Sequence, residues 1–380
     1  MDAAENGAKS GNREPIVRRA AVLGTGLIGG SVGAVLRGLG VDVAGYDHDR
    51  HRLERAVQLG VVDSAAASLA AAVAGRQIAF VAVPVGATPE LAAAALDADP
   101  AIVVTDVGSV KGAVVEAVEL ARPDAATRFV GGHPMAGSEQ DGLDGSHADL
   151  FSGASWVLTP TERTDAKAFA LVRAVVAACG AEAIALSPRD HDLFVSMVSH
   201  VPQLAASTLM DSALGVSAQH STLLRLAAGG FRDMTRVAAG NPAIWPDILT
   251  ANREAVLIAL DRYLAALGDV RRMVVDGDRV GLLTMLQRAR QGRRALPVGA
   301  ATVDELVELH VPVPDRPGVL AEITTLAGRW AVNVYDLEIA HSIEGDQGVM
   351  TLVVAAGDAA DAFESGLRDL GYTVSHGKYE

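Results

Sequence analysis

His133 stands in Gly131-Gly132-His133-Pro134-Met135-Ala136-Gly137, directly after the short apolar run Phe129–Gly131. Small neighbours let a substrate come close, and the proline fixes the loop. A histidine there can take a hydroxyl proton as hydride leaves a carbinol carbon, because imidazole titrates near neutral pH. The competing reading is a loop histidine satisfied by backbone groups. His200 lies in Ser199-His200-Val201-Pro202-Gln203, inside a long helical pattern where Leu193, Ser196, His200 and Gln203 share a mixed face. That spacing fits a cavity wall and a structural histidine equally. Pro202 removes a helix hydrogen bond, which predicts a kink. In Phe231-Arg232-Asp233-Met234-Thr235-Arg236, Arg236 can clamp a carboxylate with two parallel hydrogen bonds. Arg232 lies one helical turn away and Asp233 three residues before it, so a solvated ion pair competes with that role. Trp245 either walls a pocket or fills core. These residues suit hydride removal from a carbinol carbon of an anionic substrate.

The hydride needs an acceptor, and residues 20–49 supply its site. An apolar run Ala20–Leu23 leads into Gly24-Thr25-Gly26-Leu27-Ile28-Gly29, a helical stretch, a second apolar run Val41–Tyr46, and Asp47. In a dinucleotide site, the first glycine permits the tight turn. The second lets the backbone approach a pyrophosphate, and the third lets helix and strand pack closely. Free N–H groups from Leu27 and Ile28 onward, at the helix N-terminus, favour the phosphates. Asp47 can accept from a ribose diol and repels a 2′-phosphate, which favours NAD over NADP. Arg50 and Arg52, just past it, are the residues that leave NADP open.

The elements that must position these groups alternate between strand and helix from Arg18 to about Ser187. Apolar runs Ile78–Val83, Ile102–Thr105, Phe129–Gly131, Ser155–Thr159 and Ala183–Leu186 are separated by helical patterns. Thr88 is the expected N-cap of the helix that Pro89 opens. Continuous apolar strands with intervening helices predict a parallel, doubly wound α/β sheet, with ligands bound outside the strand carboxyl ends. Pro84, Ser109 and His133 all fall just past such ends and would face the nicotinamide. Ser187-Pro188 starts an all-helical region, in which Leu257, Leu260, Leu264 and Leu267 recur at helical spacing. So apolar a face predicts a dimer interface. A third pattern, strand-helix-strand-strand-helix-strand, runs over the last residues and predicts a ferredoxin-like unit. The expected organisation is a disordered tail (1–15), a Rossmann-like dinucleotide domain (16–187), a helical substrate and dimerisation domain (188–291), a linker (292–303) and a small βαββαβ domain (304–380).

A chain of 380 residues with half its residues apolar can build several cores. The net charge of −14 argues against nucleic acid or an anionic membrane as partner. The sole cysteine, Cys179, excludes an intrachain disulfide and reads as a small buried apolar residue. No His/Cys cluster has metal spacing. Residues 1–14 are polar and do not read as a signal peptide, and Ala65–Ala74 is too short to span a membrane. The expected location is the cytoplasm.

Gly24-Thr25-Gly26-Leu27-Ile28-Gly29-Gly30-Ser31, Asp106-Val107-Gly108-Ser109-Val110-Lys111, His133-Pro134-Met135-Ala136-Gly137, Ser199-His200-Val201-Pro202 and Phe231-Arg232-Asp233-Met234-Thr235-Arg236 occur in this order. Over about Arg18 to Arg290 the chain resembles the prephenate/arogenate dehydrogenase family of tyrosine biosynthesis. Residues 306–380 resemble an ACT domain, an amino-acid-binding regulatory module, with Asp315-Arg316-Pro317-Gly318 as its first turn. The resemblance implies NAD-dependent oxidative decarboxylation of prephenate to 4-hydroxyphenylpyruvate by a homodimer. It implies that His133 accepts the ring hydroxyl proton, Ser109 orients that hydroxyl, His200 lines the substrate pocket and Arg236 binds a carboxylate. Glu139 and Asp233 would hold the arginine, and Trp245 would wall the pocket. A regulatory amino acid, by pathway logic tyrosine, would bind near Asp315, Gly318 and Asn333. Many members carry histidine where this chain has Gln203, so the choice between prephenate and arogenate stays open. A β-hydroxyacid dehydrogenase would need a lysine in the helical region, and Ser187–Arg290 contains none. A non-catalytic NAD or amino-acid sensor is the remaining alternative.

Overall fold

The computed structural model describes residues 15–137, 140, 142–217, 220, 222–296, 306–314, 316–341 and 347–378. The chain forms two compact units that divide at Leu267 and Gly268. The division falls inside a helix and not at the expected linker, of which residues 297–303 lie outside the described residues.

The first unit opens with β1 (Arg19–Leu23), α1 (Leu27–Gly38), β2 (Asp42–Tyr46), α2 (Arg50–Gln58), β3 (Ser64–Ala65) and α3 (Leu69–Val73). It continues with β4 (Ile78–Val81), α4 (Thr88–Ala98), β5 (Val103–Asp106), α5 (Gly112–Ala121), β6 (Phe129–Pro134), β7 (Ser155–Thr159), α6 (Ala166–Ala178) and β8 (Glu182–Ala185). These strands make one sheet in the order β3-β2-β1-β4-β5-β6-β7-β8. Its central strands are apolar on both faces, which is why they read as unbroken apolar runs. Val22, Phe80 and Trp156 lie in the core on one side; Ala21, Leu23, Val81 and Leu96 lie in the core on the other. Trp156 is fully buried and packs against Phe80 and Phe151 at centroid distances of 6.3 and 4.9 Å.

The sheet is not wholly parallel as expected. β7 runs antiparallel to β6, pairing Val157 with His133. The connection from β6 to β7 holds only a short 3₁₀ turn, Leu143–Gly145, among its described residues. Without a crossover helix the next strand returns in the opposite direction. That pairing extends β6 to Pro134, so His133 sits within the last residues of the strand and not in a loop beyond it. Thr88 also differs from expectation. It is buried and donates its hydroxyl to the carbonyls of Val83 and Pro84, while Ala87 occupies the N-cap.

A helical array comes next: α7 (Pro188–Val195), α8 (Val201–Ser217), α9 (Gly229–Thr235), α10 (Trp245–Ala251) and α11 (Arg253–Asp276). Ser187 caps α7 by accepting from the Asp190 amide, with Pro188 in the first turn as the sequence requires. In place of the kink expected at Pro202, a π turn spans Ser196–His200 between α7 and α8. The run Pro188–Ser217 is long and apolar enough to cross a membrane by length and composition alone. It carries buried His191, Asp192, Ser196 and His200, however, as a helix lining a polar site does. Leu257, Leu264 and Leu267 stand 47%, 56% and 46% exposed on α11, so this apolar face lacks cover within one chain.

The second unit holds the end of α11, then α12 (Arg279–Arg294), β9 (Leu306–Pro314), α13 (Val319–Arg329), β10 (Val334–His341), β11 (Gln347–Ala355), α14 (Asp358–Asp369) and β12 (Ser375–Lys378). The four strands form an antiparallel sheet in the order β10-β11-β9-β12, the ferredoxin-like arrangement. Leu309, Val311, Ile323, Leu352 and Phe363 form its core. β12 begins at Ser375, later than the expected Tyr372, whose hydroxyl instead donates to Glu322 at 2.8 Å.

Candidate active site

The glycine turn connects β1 to α1 and departs from ordinary backbone where the sequence has no side chain. Gly24 has φ +100°, and a Cβ there would lie 2.2 Å from the Ala82 carbonyl oxygen. A Cβ on Gly29 would lie 1.9 Å from the Gly24 oxygen, whereas one on Gly26 meets nothing within 4 Å. Gly24 and Gly29 are thus demanded by packing. Gly26 faces open space at the start of α1, where a pyrophosphate would be bound by the N–H groups at Leu27 and Ile28. Asp47 ends β2, but its side chain is only 1% exposed. Oδ2 accepts from the amide and hydroxyl of Thr25 at 2.8 and 3.0 Å, and Oδ1 accepts from the Asp49 amide at 2.9 Å. Asp47 therefore fixes the glycine turn. Arg52 Nη1 lies 3.6 Å from Asp47 Oδ2. Pro84 lies three residues beyond β4, at the N-cap of the 3₁₀ turn Val85–Ala87, and is exposed.

His133 is half-buried, and its Nδ1 lies 2.9 Å from Nε2 of His191, a residue the sequence did not single out. His191 Nδ1 lies 2.8 Å from Asp192 Oδ1. Asp192 also accepts from the amides of Lys111 and Gly112, both at 2.8 Å, at the N-terminal end of α5. Both carboxylate oxygens of Asp192 are thus engaged as acceptors at that helix N-terminus. The network then assigns the tautomers: His191 donates from Nδ1 to Asp192, and His133 donates from Nδ1 to His191 Nε2. His133 Nε2 then carries the lone pair, without a partner among the described residues, as a proton acceptor requires. Burial holds His133 well below the usual histidine range, aided by His191, Lys111 and His200 nearby.

Asn252, on the approach to α11, ties in the next histidine. Its Nδ2 donates to the Asp192 carbonyl at 3.0 Å and lies 3.3 Å from His200 Nδ1. His200 Nδ1 accepts, so its Nε2–H is a donor. Burial pushes His200 down to about 4, against the attraction of Asp192. Trp245 crosses His200 edge to face at 6.1 Å. The Trp245 helix, α10, packs on the turn Val85–Ala87 beyond β4, which brings it to the carboxyl end of the sheet. The site thus gathers one histidine that accepts and one that donates, with an indole beside the second.

Of the other expected residues, Ser109 is half-buried beside Gly108, whose amide donates to Asp106 at 2.9 Å. Gln203 is half-buried and donates to Ser207 at 3.2 Å. Arg236 and Asp233 are exposed; Arg236 opens a 3₁₀ turn, Arg236–Ala239, that packs against α8. Glu139 and Asp315 lie outside the described residues. Gly318 has φ +95° and is the N-cap of α13, and Asn333 is exposed just before β10. Cys179 is buried at the end of α6, which pushes its thiol up to about 12 and leaves it inert.

Models of the prephenate dehydrogenase nucleotide-binding domain and dimerization domain match residues 32–185 and 187–288. The prephenate dehydrogenase of Bacillus subtilis is 32% identical over 342 residues, 88% of this chain and 91% of that protein. The chain belongs to the prephenate dehydrogenase family. A solved family member, from A. aeolicus in complex with hydroxyphenyl propionate and NAD+, is 32% identical with a TM-score of 0.68. The match covers 73% of this chain and 97% of that one. An arogenate dehydrogenase from Synechocystis is also 32% identical, with a TM-score of 0.65 and coverage of 72% and 98%. Within the family framework, the nucleotide-binding match contains His133 and Ser109. The dimerization match contains His191, Asp192, His200, Arg236 and Asn252.

Proposed function

We propose that this protein is an NAD-dependent prephenate dehydrogenase, converting prephenate to 4-hydroxyphenylpyruvate with loss of hydride and carbon dioxide. The observation that carries the assignment of roles is the chain His133 Nδ1–His191 Nε2 and His191 Nδ1–Asp192 Oδ1, which leaves His133 Nε2 to accept at the sheet end that also bears the glycine turn. The turn, the N-terminus of α1 and Asp47 fit the dinucleotide; when bound, NAD supplies the hydride acceptor. His133 Nε2 accepts the proton of the ring hydroxyl. Ser109 orients that hydroxyl. His200 donates from Nε2 to an oxygen of the substrate, and Arg236 binds a carboxylate, with Asp233 and Glu139 holding the arginine and Trp245 walling the pocket. Because the ring becomes aromatic as carbon dioxide leaves, the driving force lies in the substrate. The chain has only to aim the substrate, take the hydroxyl proton and return it to the phenolic oxygen as carbon dioxide leaves, and balance charge.

Purified protein should reduce NAD when given prephenate. His133→Asn should lower kcat by about 10²- to 10⁴-fold, the usual worth of a general base. A variant that kept wild-type turnover would remove His133 from this role. Gln203, and the Synechocystis relative named as an arogenate dehydrogenase, support arogenate as a second substrate. Comparing kcat/KM for prephenate and arogenate, each with NAD and NADP, decides both preferences; Arg52 is the residue that would favour NADP.

The protein works as a homodimer through its helical domain, and its composition suits the cytoplasm. The C-terminal unit acts as an ACT-type regulatory domain. Near Gly318 a groove of about 540 Å³, lined by Arg316, Glu322 and Arg329 among others, offers both charge signs to an amino acid. Tyrosine is the effector that feedback logic favours. A chain truncated after Leu296 should keep turnover and lose tyrosine sensitivity; equal sensitivity would refute this placement.

A further inference from the structure

Beneath His133 lies a charged pair that the proposed chemistry does not use. The side chains of Lys111 and Asp106 are both 0% exposed and paired, Nζ to Oδ2. Lys111 Nζ also donates to the carbonyl of Gly132 at 2.9 Å, and Asp106 Oδ1 accepts from the Gly132 amide at 3.0 Å. Both polar groups of the residue before His133 therefore end on one ion pair. Asp106 Oδ2 further accepts from the Gly108 amide, next to Ser109, at 2.9 Å. There is no slack: a Cβ on Gly132 would lie 2.6 Å from the Asp106 carbonyl oxygen. The main chain of Lys111 meets the same network from the other side, donating to the Asp192 carboxylate that orients His191 and so His133.

Burying two charges is costly, and well-packed apolar residues of the same volume often serve stability better. A pair that grips both His133 and the Ser109 loop points to a different use. We propose that the buried Lys111–Asp106 pair is a positioning device that sets the aim of His133 and places the charge of Lys111 beside its ring. This rests on the reading of His133 as proton acceptor. The groups facing His133 are Lys111 at the start of α5, His191 on α7 and His200 in the π turn. The carboxylates of Asp106 and Asp192 are bound to the first two.

Lys111→Met and the double variant Lys111→Met/Asp106→Asn test it, with ring-nitrogen NMR of His133 and pH profiles of kcat/KM. In the double variant, the His133 titration and the acid limb should both move up by about 0.5–1 pH unit. In Lys111→Met, which leaves Asp106 alone, they should move further, and kcat should fall by about tenfold or more as aim is lost. Lys111→Arg, which keeps the charge, should leave the limb in place. A folded variant whose His133 titrates where the wild type does would overturn the proposal. If the single variant does not fold, the double decides; failure of both to fold would make the pair a stability element and equally overturn it. Should His133→Asn keep its turnover while Lys111→Met still moves the titration, the coupling stands and the proton-acceptor role falls.

Discussion

His133, half-buried, and His200, buried, have opposite hydrogen-bonding duties, and their titration carries a stability consequence. Burial lowers both from the ordinary 6.5, His200 to about 4. Below 6.5 the unfolded chain takes up protons that the folded site refuses. Their contribution is therefore full above pH 6.5 and is lost as pH falls toward 4. The loss amounts to at most about 1.4 kcal/mol per pH unit for each histidine. Tm should drop between pH 7 and pH 5, and His200→Asn should drop less; an equal drop in the variant would sink the claim. The same shift predicts that kcat/KM holds its plateau below pH 6.5, because His133 stays able to accept. His133 was legible in the sequence because proline and glycines mark it locally. His191, Asp192 and Lys111 were not. His191 stands 58 residues from His133, and Asp192 is 81 residues from the Lys111 amide it accepts from. Partners brought together only by the fold leave no spacing signal along the chain.

Among the elements, the β1–α1 turn separates two uses of glycine that look identical in sequence. Gly29→Ala drives a Cβ into the Gly24 carbonyl, so it should cost about 1–3 kcal/mol of stability or more and weaken NAD binding with it. Gly26→Ala meets open space, so Tm should hold while NAD affinity falls by crowding of the pyrophosphate. Melting curves and calorimetric NAD titration of the two variants should diverge in this way; a Gly26→Ala protein with unchanged NAD affinity would remove the turn from the cofactor site. The turn was readable because strand, glycines, helix and acid recur at fixed offsets. The reversal of β7 was not, since direction depends on whether a helix bridges β6 and β7, and that connection carries no helical periodicity. Nor did Asp47 announce its second use, because its hold on Thr25 forms only once β1 and β2 lie side by side.

For the molecule as a whole, the apolar face of α11 is the feature one chain leaves unfinished. Leu257, Leu264 and Leu267 are about half exposed in a region matching a dimerization domain. Exposed apolar surface of this kind marks an interface. Sedimentation should find a dimer, and Leu264→Arg should shift it toward monomer; an unshifted dimer would place the interface on another face. The helical character of this region was plain from its period, and so was the ferredoxin-like order of the last unit. The unit boundary was not, because α11 runs through it without a break in pattern.

The π turn at Ser196–His200 has a consequence best stated as an insertion. A π turn holds one residue more than the α-helical path it replaces, so α7 and α8 behave as a single helix with one added residue. Met197 and Val198, the most exposed residues of that turn at 42% and 69%, are where the extra residue is spare. Deleting Val198 should therefore heal the helix with little loss of burial and leave α7 and α8 in their present phase. His191 and His200 would then still meet one site, and a chain shorter by one residue should fold and keep its turnover; a folded but inactive variant would show that the wide turn itself is needed.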